Sequence, residues 1–303
     1  MECFQPGEFV VGANLPWINY GIDFGANPWR PAGGIAQDDM RVVLDQKLAE
    51  LAATGVSMVR WFLLCDGRAG IRFSADGSPE GLDDYVVPDL DAALGALHGH
   101  RMRVMFAIFD FHWCKPRQWI NGVQLGGRRH VLNHPERRHR LLHAVVRPIL
   151  ERYGADERVF AWDVINEPEW VTRGLGASNP LLGISRRVLR ELIEEVARLV
   201  HDVTSHPVTV GSAGSRWRSF YQGLPLDFDQ VHWYDTLQRA PPLETPLAQL
   251  GFERPVLLGE FPTWATARSV DEILATAQTA GYAGAFHWPS AALPLESPPK
   301  GRS

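Results

Sequence analysis

Two glutamates follow apolar, β-branched segments, and each is followed closely by a proline. Glu167 ends the segment VFAWDVINEP with Asn166 beside it, and Glu260 lies in VLLGEFP. A carboxyl group that is held neutral can donate a proton to a leaving oxygen, while a second one that is held ionised can attack or stabilise a positive carbon. The pair therefore indicates acid–base and nucleophilic chemistry, provided that the fold brings both carboxyl groups together.

Other polar side chains follow apolar segments in the same way. Arg60, in MVRWF, could keep one glutamate ionised, because an adjacent positive charge favours the charged form of a carboxyl group. Each of these residues alone is more often an internal ion-pair partner or a buried histidine, so their common placement is what favours a shared site. The further candidates are Asp66, Asp110, His112, Asn166, His232, Tyr234, His287 and Trp288.

Eight short segments rich in β-branched and aromatic residues are candidate strands. They lack strict alternation between apolar and polar residues, which is typical of strands buried on both faces of a parallel sheet. The predicted strands are 9–12, 58–64, 103–109, 159–165, 208–211, 230–233, 256–259 and 284–287.

Amphipathic helical patterns lie between these strands, at 38–54, 89–98, 134–153, 184–203, 245–250 and 270–280. Repeated strand–helix units imply parallel strands with right-handed crossovers, and eight of them favour an α/β fold of the (β/α)8 TIM-barrel type. An open doubly wound sheet is the alternative, but no glycine-rich phosphate-binding turn follows an early strand. We expect a single barrel domain over residues 1–303, with the last helix missing or degenerate because few residues follow Trp288.

In such a barrel, catalytic side chains lie on loops at the carboxyl ends of the strands. All the polar candidates fall at such ends, so Glu167 and Glu260 are expected to meet at one mouth of the barrel. A hairpin is predicted within 71–85, and the long loop 111–132 is expected to wall one end of a cleft. A walled cleft would favour exo action and an open groove endo action.

The chain contains eleven tryptophans. Sugar rings stack on aromatic side chains, so tryptophans in the mouth loops indicate a carbohydrate cleft, although about half of them are expected only to pack the loops onto the barrel. The predicted substrate-binding residues are Trp17, Trp113, Trp170, Trp264 and Trp288.

The distributed motif resembles the retaining β-glycosidases of glycoside hydrolase clan A, and most closely the cellulase-like family 5. The resemblance covers roughly residues 8–290, whereas the segments 14–20 and 65–70 depart from the family pattern. The matching residues are Arg60 in MVRWF, His112 in DFHW, Asn166 and Glu167 in INEP, His232 and Tyr234 in HWYD, Glu260 in LLGEFP and Trp288 in FHWPS.

The resemblance implies a role for each matching residue. Glu167 would be the general acid/base, and Glu260 would be the nucleophile that forms a glycosyl-enzyme. Arg60 and Tyr234 would hold Glu260 ionised and oriented. The remaining implied roles are contacts with the substrate: Asn166 at the sugar 2-hydroxyl, His112 and His232 at hydroxyls or beside Glu167, and Trp288 under the sugar ring.

We therefore expect a retaining β-glycoside hydrolase that cleaves a β-linked glucan, mannan or related oligosaccharide by double displacement. Its two carboxyl groups should lie about 5–5.5 Å apart, whereas about 6.5–9.5 Å would indicate inversion. The alternatives are a transglycosylase acting on similar substrates and a carbohydrate-binding barrel without activity. The presence of both glutamates and of Arg60 counts against the second alternative.

Composition argues against several other classes of protein. The net charge of −5 and pI near 6.1 do not suggest a nucleic-acid partner, and no apolar run is long enough to span a membrane. The three cysteines predict neither a disulfide framework nor a zinc site. Histidines 130, 134, 139 and 143 are spaced in pairs of four but lie among arginines, so a basic helix face is expected.

We expect neither a metal nor a cofactor, because two carboxyl groups suffice for this chemistry. The sequence shows no secretory signal at residues 1–9, so a cytoplasmic location is the default expectation, and a secreted protein is expected if a signal was removed. The sequence does not predict the oligomeric state.

Overall fold

The computed structural model describes residues 3–5, 7–19, 21–177, 179, 183–235 and 241–288. Eight parallel strands within these ranges close into a barrel, which confirms the predicted fold. The prediction of a missing or degenerate last helix concerns residues after Trp288, which lie outside the described ranges. The barrel strands are β1 (Val10–Leu15), β2 (Met58–Phe62), β3 (Arg103–Asp110), β4 (Val159–Asn166), β5 (Val208–Ser212), β6 (Asp229–His232), β7 (Val256–Pro262) and β8 (Gly284–Trp288).

All eight predicted strands are present, and the largest differences from their predicted ends lie at the mouth of the barrel. β1 continues to Leu15 and β7 to Pro262, each three residues beyond the predicted end. A polar residue is a signal that a strand ends, but Asn14 lies within the ladder opposite Arg60, and its amide donates to the carbonyl of Gly259 at 2.9 Å. Internal hydrogen bonding thus allows polar residues to lie inside the strands.

Each of the six predicted helical regions contains a helix. Arg186–Val203 begins after Ser185, whose side chain accepts a backbone N–H, and Val270–Ala280 begins with a capping box made by Ser269 and Glu272. Among the described residues, no helix has the length and apolar character needed to cross a membrane. The helices are α1 (Asp38–Ala53), α2 (Val86–Gly99), α3 (Arg129–Asn133), α4 (Pro135–Arg140), α5 (Arg147–Tyr153), α6 (Arg186–Val203), α7 (Arg218–Tyr221), α8 (Leu247–Leu250) and α9 (Val270–Ala280).

The prediction of one regular helix over 134–153 is wrong. α4 and α5 are separated by a π-helical turn at Leu141–Val146. Pro148, in the first turn of α5, lacks the N–H that a continuous α-helix would need, so the hydrogen-bond pattern changes in the turn before it.

The amino-terminal segment covers the end of the barrel that is opposite the mouth. Phe4 packs against Phe160 and Phe228, with ring centroids 5.5 and 5.3 Å apart. Phe160 is at the start of β4 and Phe228 lies just before β6, so this cluster is at the amino-terminal ends of the strands. The polar candidates therefore lie at the other end.

Two antiparallel hairpins lie in the loops after β2 and β3. Ile71–Phe73 pairs with Pro79–Leu82, as the sequence predicts, and Gln118–Ile120 pairs with Val123–Leu125. The second hairpin corrects the expectation of one long loop over 111–132. Its turn, Asn121-Gly122, has positive φ at both residues, and an Asn-Gly pair is the strongest short-range signal of a hairpin.

Candidate active site

Glu167 is the first residue after β4, and the chain turns sharply there. Its N–H donates to the carbonyl of Gly211 at 2.7 Å, and its φ of 43° lies in the left-handed region, which is unfavourable for a residue with a Cβ. Pro168 then begins a 3-10 turn that ends at Val171. Trp170, in that turn, donates its indole N–H to Oε2 of Glu167 at 2.8 Å. The turn thus carries both the glutamate and one of its hydrogen-bond donors.

Glu260 lies inside β7 and is almost completely buried. The guanidinium of Arg60 donates to its Oε1 at 2.8 Å, and the hydroxyl of Tyr234 donates to its Oε2 at 2.8 Å. Hydrogen bonds to both oxygens orient the carboxylate and favour its ionised form. Arg60 and Tyr234 therefore lie where the sequence predicts contacts with this glutamate.

The two glutamates face each other across His232. Its Nδ1 lies 2.9 Å from Oε1 of Glu167 and 3.4 Å from Oε2 of Glu260, and the three groups offer atoms that are all within 4.8 Å of one another. At least one oxygen of each carboxyl group therefore lies within 4.8 Å of the other group. This short spacing is consistent with the separation of about 5–5.5 Å in retaining glycosidases rather than the about 6.5–9.5 Å of inverting ones.

The two carboxyl groups have different surroundings. Burial raises the pKa of Glu167 to about 7, and its direct hydrogen-bond partners are the indole N–H of Trp170 and the imidazole of His232. Burial also raises the pKa of Glu260, but the guanidinium of Arg60 and the hydroxyl of Tyr234 act in the opposite direction. Burial lowers the pKa of His232 to about 4, so its ring is neutral at neutral pH. Glu167 can therefore carry a proton near pH 7 beside a glutamate whose contacts favour the anion.

Asn166 belongs to a chain of hydrogen bonds that runs beside the glutamates. Its Oδ1 accepts from Arg60 and its Nδ2 donates to Asp110, each at 2.8 Å. The other oxygen of Asp110 contacts the ring of His112 and accepts the backbone N–H of the same residue. His112 thus lies at the mouth, as predicted, but its Nδ1 side faces Asp110 rather than Glu167.

Sequence reasoning missed Asp163, which lies beneath these groups inside β4. Arg60 is fully buried and donates to Oδ2 of Asp163 at 2.7 Å from Nη2 and 2.9 Å from Nε. Asp163 also accepts the N–H of Gly211 at 2.8 Å and the amide of Gln230 at 3.0 Å. A lone aspartate within the apolar run VFAWDVIN was the available signal. These bonds hold the guanidinium so that Nη1 reaches Glu260.

A cavity of about 380 Å³ at the mouth of the barrel is lined by both glutamates. Trp17, Trp170 and Trp288 also line it, where the sequence predicts substrate contacts. Phe62 lies edge-on to Trp17 and to Trp288, with ring centroids 6.2 and 6.4 Å apart. The cavity thus combines aromatic walls with two carboxyl groups, which suits a sugar ring.

Two of the predicted substrate-binding tryptophans do not belong to this cavity. Trp113 is 0% exposed and packs edge-on against Phe109, with ring centroids 5.1 Å apart, so its indole cannot stack on a sugar. Trp264 is 54% exposed in the loop after β7 but is not among the residues that line the cavity. The amino-acid sequence does not distinguish a loop tryptophan that packs inward from one that lines the site.

The grouping of Glu167, His232 and Glu260 is also the one set of three potential metal ligands found among the described residues. Arg60 contacts Glu260 directly, and its positive charge disfavours a cation at this place. The histidines of the 130–143 region lie elsewhere, and the rings of His139 and His143 are tilted against each other with centroids 4.1 Å apart. The arrangement therefore fits proton transfer better than metal binding.

Comparisons with known proteins point to one group of enzymes, although no family model matches the chain. The mannan endo-1,4-β-mannosidase of Mytilus edulis is 22% identical, over 92% of this chain and 83% of its own length. The X-ray structure of β-mannanase from Mytilus edulis has a TM-score of 0.79 at 21% identity and covers 95% of this chain and 88% of that one.

A family 5 enzyme from Streptomyces cattleya, in complex with Manβ1-4GlcNAc, has a TM-score of 0.66 at 14% identity and covers 93% of this chain and 71% of that one. At these identities the solved structures show that the barrel fold is shared. Together with the sequence match, they confirm the resemblance to family 5 of clan A and the expectation of a glycoside hydrolase.

Proposed function

We propose that this chain, a glycoside hydrolase of the family 5 type in clan A, is a retaining endo-β-1,4-mannanase. The observation that carries the proposal is the pair of facing glutamates, Glu167 and Glu260, which offer oxygens within 4.8 Å of each other in an aromatic-lined cavity. Mannan is the proposed substrate because the relative from Mytilus edulis is named a mannan endo-1,4-β-mannosidase and matches 92% of this chain.

In the first step, a carboxylate oxygen of Glu260 attacks the anomeric carbon of the sugar at the cleavage site. The bond from that carbon to the leaving oxygen breaks, and Glu167 transfers its proton to the leaving oxygen. The pKa of about 7 at Glu167 supports this role, because the proton is present near neutral pH and can be given up. The product is an ester between the sugar and Glu260.

In the second step, a water molecule attacks the same anomeric carbon. Glu167, now ionised, accepts a proton from this water, and the bond between the sugar and Glu260 breaks. Two inversions at the anomeric carbon restore the β configuration. The hydrogen bonds of Arg60 and Tyr234 to Glu260 stabilise the carboxylate as it leaves.

The remaining site residues are proposed to bind and orient the sugar. Asn166 is held by Arg60 and Asp110, so its position is fixed before substrate arrives, and it is proposed to contact the 2-hydroxyl. Trp288 lines the cavity beside Glu260 and is proposed as the floor under the ring. His232, which is neutral and contacts both glutamates, is proposed to position the proton of Glu167.

The proposal is tested by hydrolysis of galactomannan, linear mannan, carboxymethylcellulose and xylan, each with and without a chelator. We expect mannan to be cleaved internally, with a rapid fall in viscosity, and the chelator to have no effect. Glu260→Gln should remove the activity, while Glu253→Gln, at an exposed glutamate, should retain it.

The stereochemistry of the first product distinguishes the mechanisms. We expect the β-anomer when mannohexaose hydrolysis is followed by NMR, whereas an initial α-anomer would contradict retention. Longer products at high mannooligosaccharide concentration would indicate a transglycosylase. Binding of mannooligosaccharides without turnover would indicate a binding barrel.

A further inference from the structure

We propose that Glu169 is a positioning residue for the general acid, because its buried carboxyl group anchors the turn that carries Glu167 and Trp170. The inference rests on the proposed function, since it concerns the same proton donor. Glu169 does not line the cavity. It is expected to act through the turn and not by touching the substrate.

The carboxyl group of Glu169 is 0% exposed and accepts three hydrogen bonds. Its Oε1 accepts from the hydroxyls of Ser212 and Tyr221 at 2.6 and 2.5 Å, and its Oε2 accepts the N–H of Ala213 at 3.2 Å. Ser212 is the last residue of β5, and Tyr221 is the last residue of α7. The carboxyl group therefore ties the turn after β4 to two other elements of the barrel.

The same turn sets the position of the acid. Trp170 follows Glu169 directly and donates to Glu167, while the carbonyl of Glu169 accepts the N–H of Thr172 at 3.1 Å. Glu167 itself has a left-handed φ of 43°, a conformation that persists only where the surrounding contacts enforce it. Loss of the anchor at Glu169 would therefore release strain at Glu167 and displace its carboxyl group.

A displaced acid has a specific kinetic consequence. A sugar leaving group needs a proton from Glu167, whereas a dinitrophenolate leaves without one. Misplacement by about 1 Å can cost about 10²-fold in rate. Loss of the anchor should therefore slow the cleavage of bonds between sugars far more than the cleavage of an activated aryl glycoside.

The experiment compares mannopentaose with dinitrophenyl β-mannobioside as substrates for wild type, Glu169→Gln and Tyr221→Phe. Glu169→Gln replaces one of the two accepting oxygens by an amide NH₂, and Tyr221→Phe removes one donor with little change in volume. We expect kcat/KM for mannopentaose to fall about 10- to 100-fold and that for the aryl glycoside to fall less than about threefold. With the aryl glycoside, kcat and KM should fall together, because Glu167 is also the base of the second step.

Azide gives an independent readout, since this anion attacks the glycosyl-enzyme without a general base. Added azide should restore kcat of both variants on the aryl glycoside. The matched control is Tyr153→Phe, at a buried tyrosine whose hydroxyl contacts Asp91 at 2.8 Å on the outside of the barrel. This control should lower the melting temperature but leave both kcat/KM values within about twofold.

Equal losses on the two substrates, or a folded Tyr221→Phe and Glu169→Gln pair with wild-type kinetics, would overturn the inference. Failure of the proposed function is a separate outcome, because wild type would then cleave neither mannoside.

Discussion

Arg60 connects the polar groups of the barrel mouth at the residue scale. One guanidinium contacts Glu260, Asp163, Asn166 and Asn14, so four side chains depend on a single buried cation. The planar fork of arginine can make these bonds at once, which an ammonium group cannot do. The position of the candidate nucleophile and that of the candidate 2-hydroxyl contact are therefore not independent of each other.

Replacing Arg60 by Lys should consequently affect both activity and stability. The lysine keeps the charge but loses most of the fork, which leaves Asp163 poorly compensated in the interior. We expect kcat/KM on mannan to fall at least about 10²-fold and the free energy of unfolding to fall by about 3 kcal/mol. Arg187→Lys, at an exposed pair with Glu191, is the matched control. It should change kcat/KM by less than about twofold and the free energy of unfolding by no more than about 0.5 kcal/mol. Wild-type activity in Arg60→Lys would contradict this account.

The pKa of Glu167 predicts the alkaline side of the pH profile. Burial raises this pKa to about 7, and the first step needs the protonated form. As pH rises through 7 the proton is lost, so kcat/KM on mannooligosaccharides should decline above that pH. Glu167→Gln should lower kcat/KM by about 10²- to 10⁴-fold and abolish this decline. A profile that stays flat up to pH 9 would show that another group is the acid.

At the scale of elements, the barrel strands approach one another closely beneath the site. Gly211 of β5 is an example, since an added Cβ would lie 2.6 Å from Nη2 of Arg60 and 2.9 Å from Oδ2 of Asp163. The glycine leaves room for the Arg60–Asp163 pair between β2 and β4. Strand β5 therefore contributes to the site by lacking a side chain at this position.

Gly211→Ala should accordingly push the guanidinium away from its partners. We expect the free energy of unfolding to fall by about 1–3 kcal/mol because of the steric clash. We also expect kcat to fall with a smaller change in KM, because the displaced guanidinium would hold Glu260 less well. Gly95→Ala in α2 is the matched control, since an added Cβ there meets nothing within 4 Å. It should stabilise the protein by about 0.5–1 kcal/mol without affecting kcat. Equal effects of the two substitutions would disprove the steric explanation.

For the molecule as a whole, the periodic part of the structure could be predicted from the sequence. Apolar segments separated by amphipathic ones predict eight parallel strands, and the barrel then forces Glu167 and Glu260 to one mouth. The direction of an individual side chain could not be predicted, because packing of distant segments decides it. Trp113 packs inward for this reason, and Glu169 escaped notice because only the fold brings Ser212 and Tyr221 to it.

Buried carboxyl groups also link global stability to pH, and Glu169 gives a clean case. Burial raises its pKa to about 7, above the value near 4.5 of an unfolded chain. The folded protein thus binds the proton more tightly, and the stabilising effect is complete below pH 4.5 and is lost as pH rises through 7. Glu169→Gln does not titrate, so the melting temperature of wild type relative to this variant should fall between pH 5 and pH 8. The shift should correspond to at most about 3 kcal/mol.

Glu272→Gln provides the control for this measurement. Hydrogen bonds from Ser269 lower the pKa of Glu272, so this group stays ionised throughout the range from pH 5 to pH 8. The difference in melting temperature between wild type and Glu272→Gln should therefore be constant over that range. The opposite result would be a melting temperature of wild type, relative to Glu169→Gln, that rises with pH. It would mean that Glu169 is ionised in the folded protein, and that its three hydrogen-bond donors outweigh its burial.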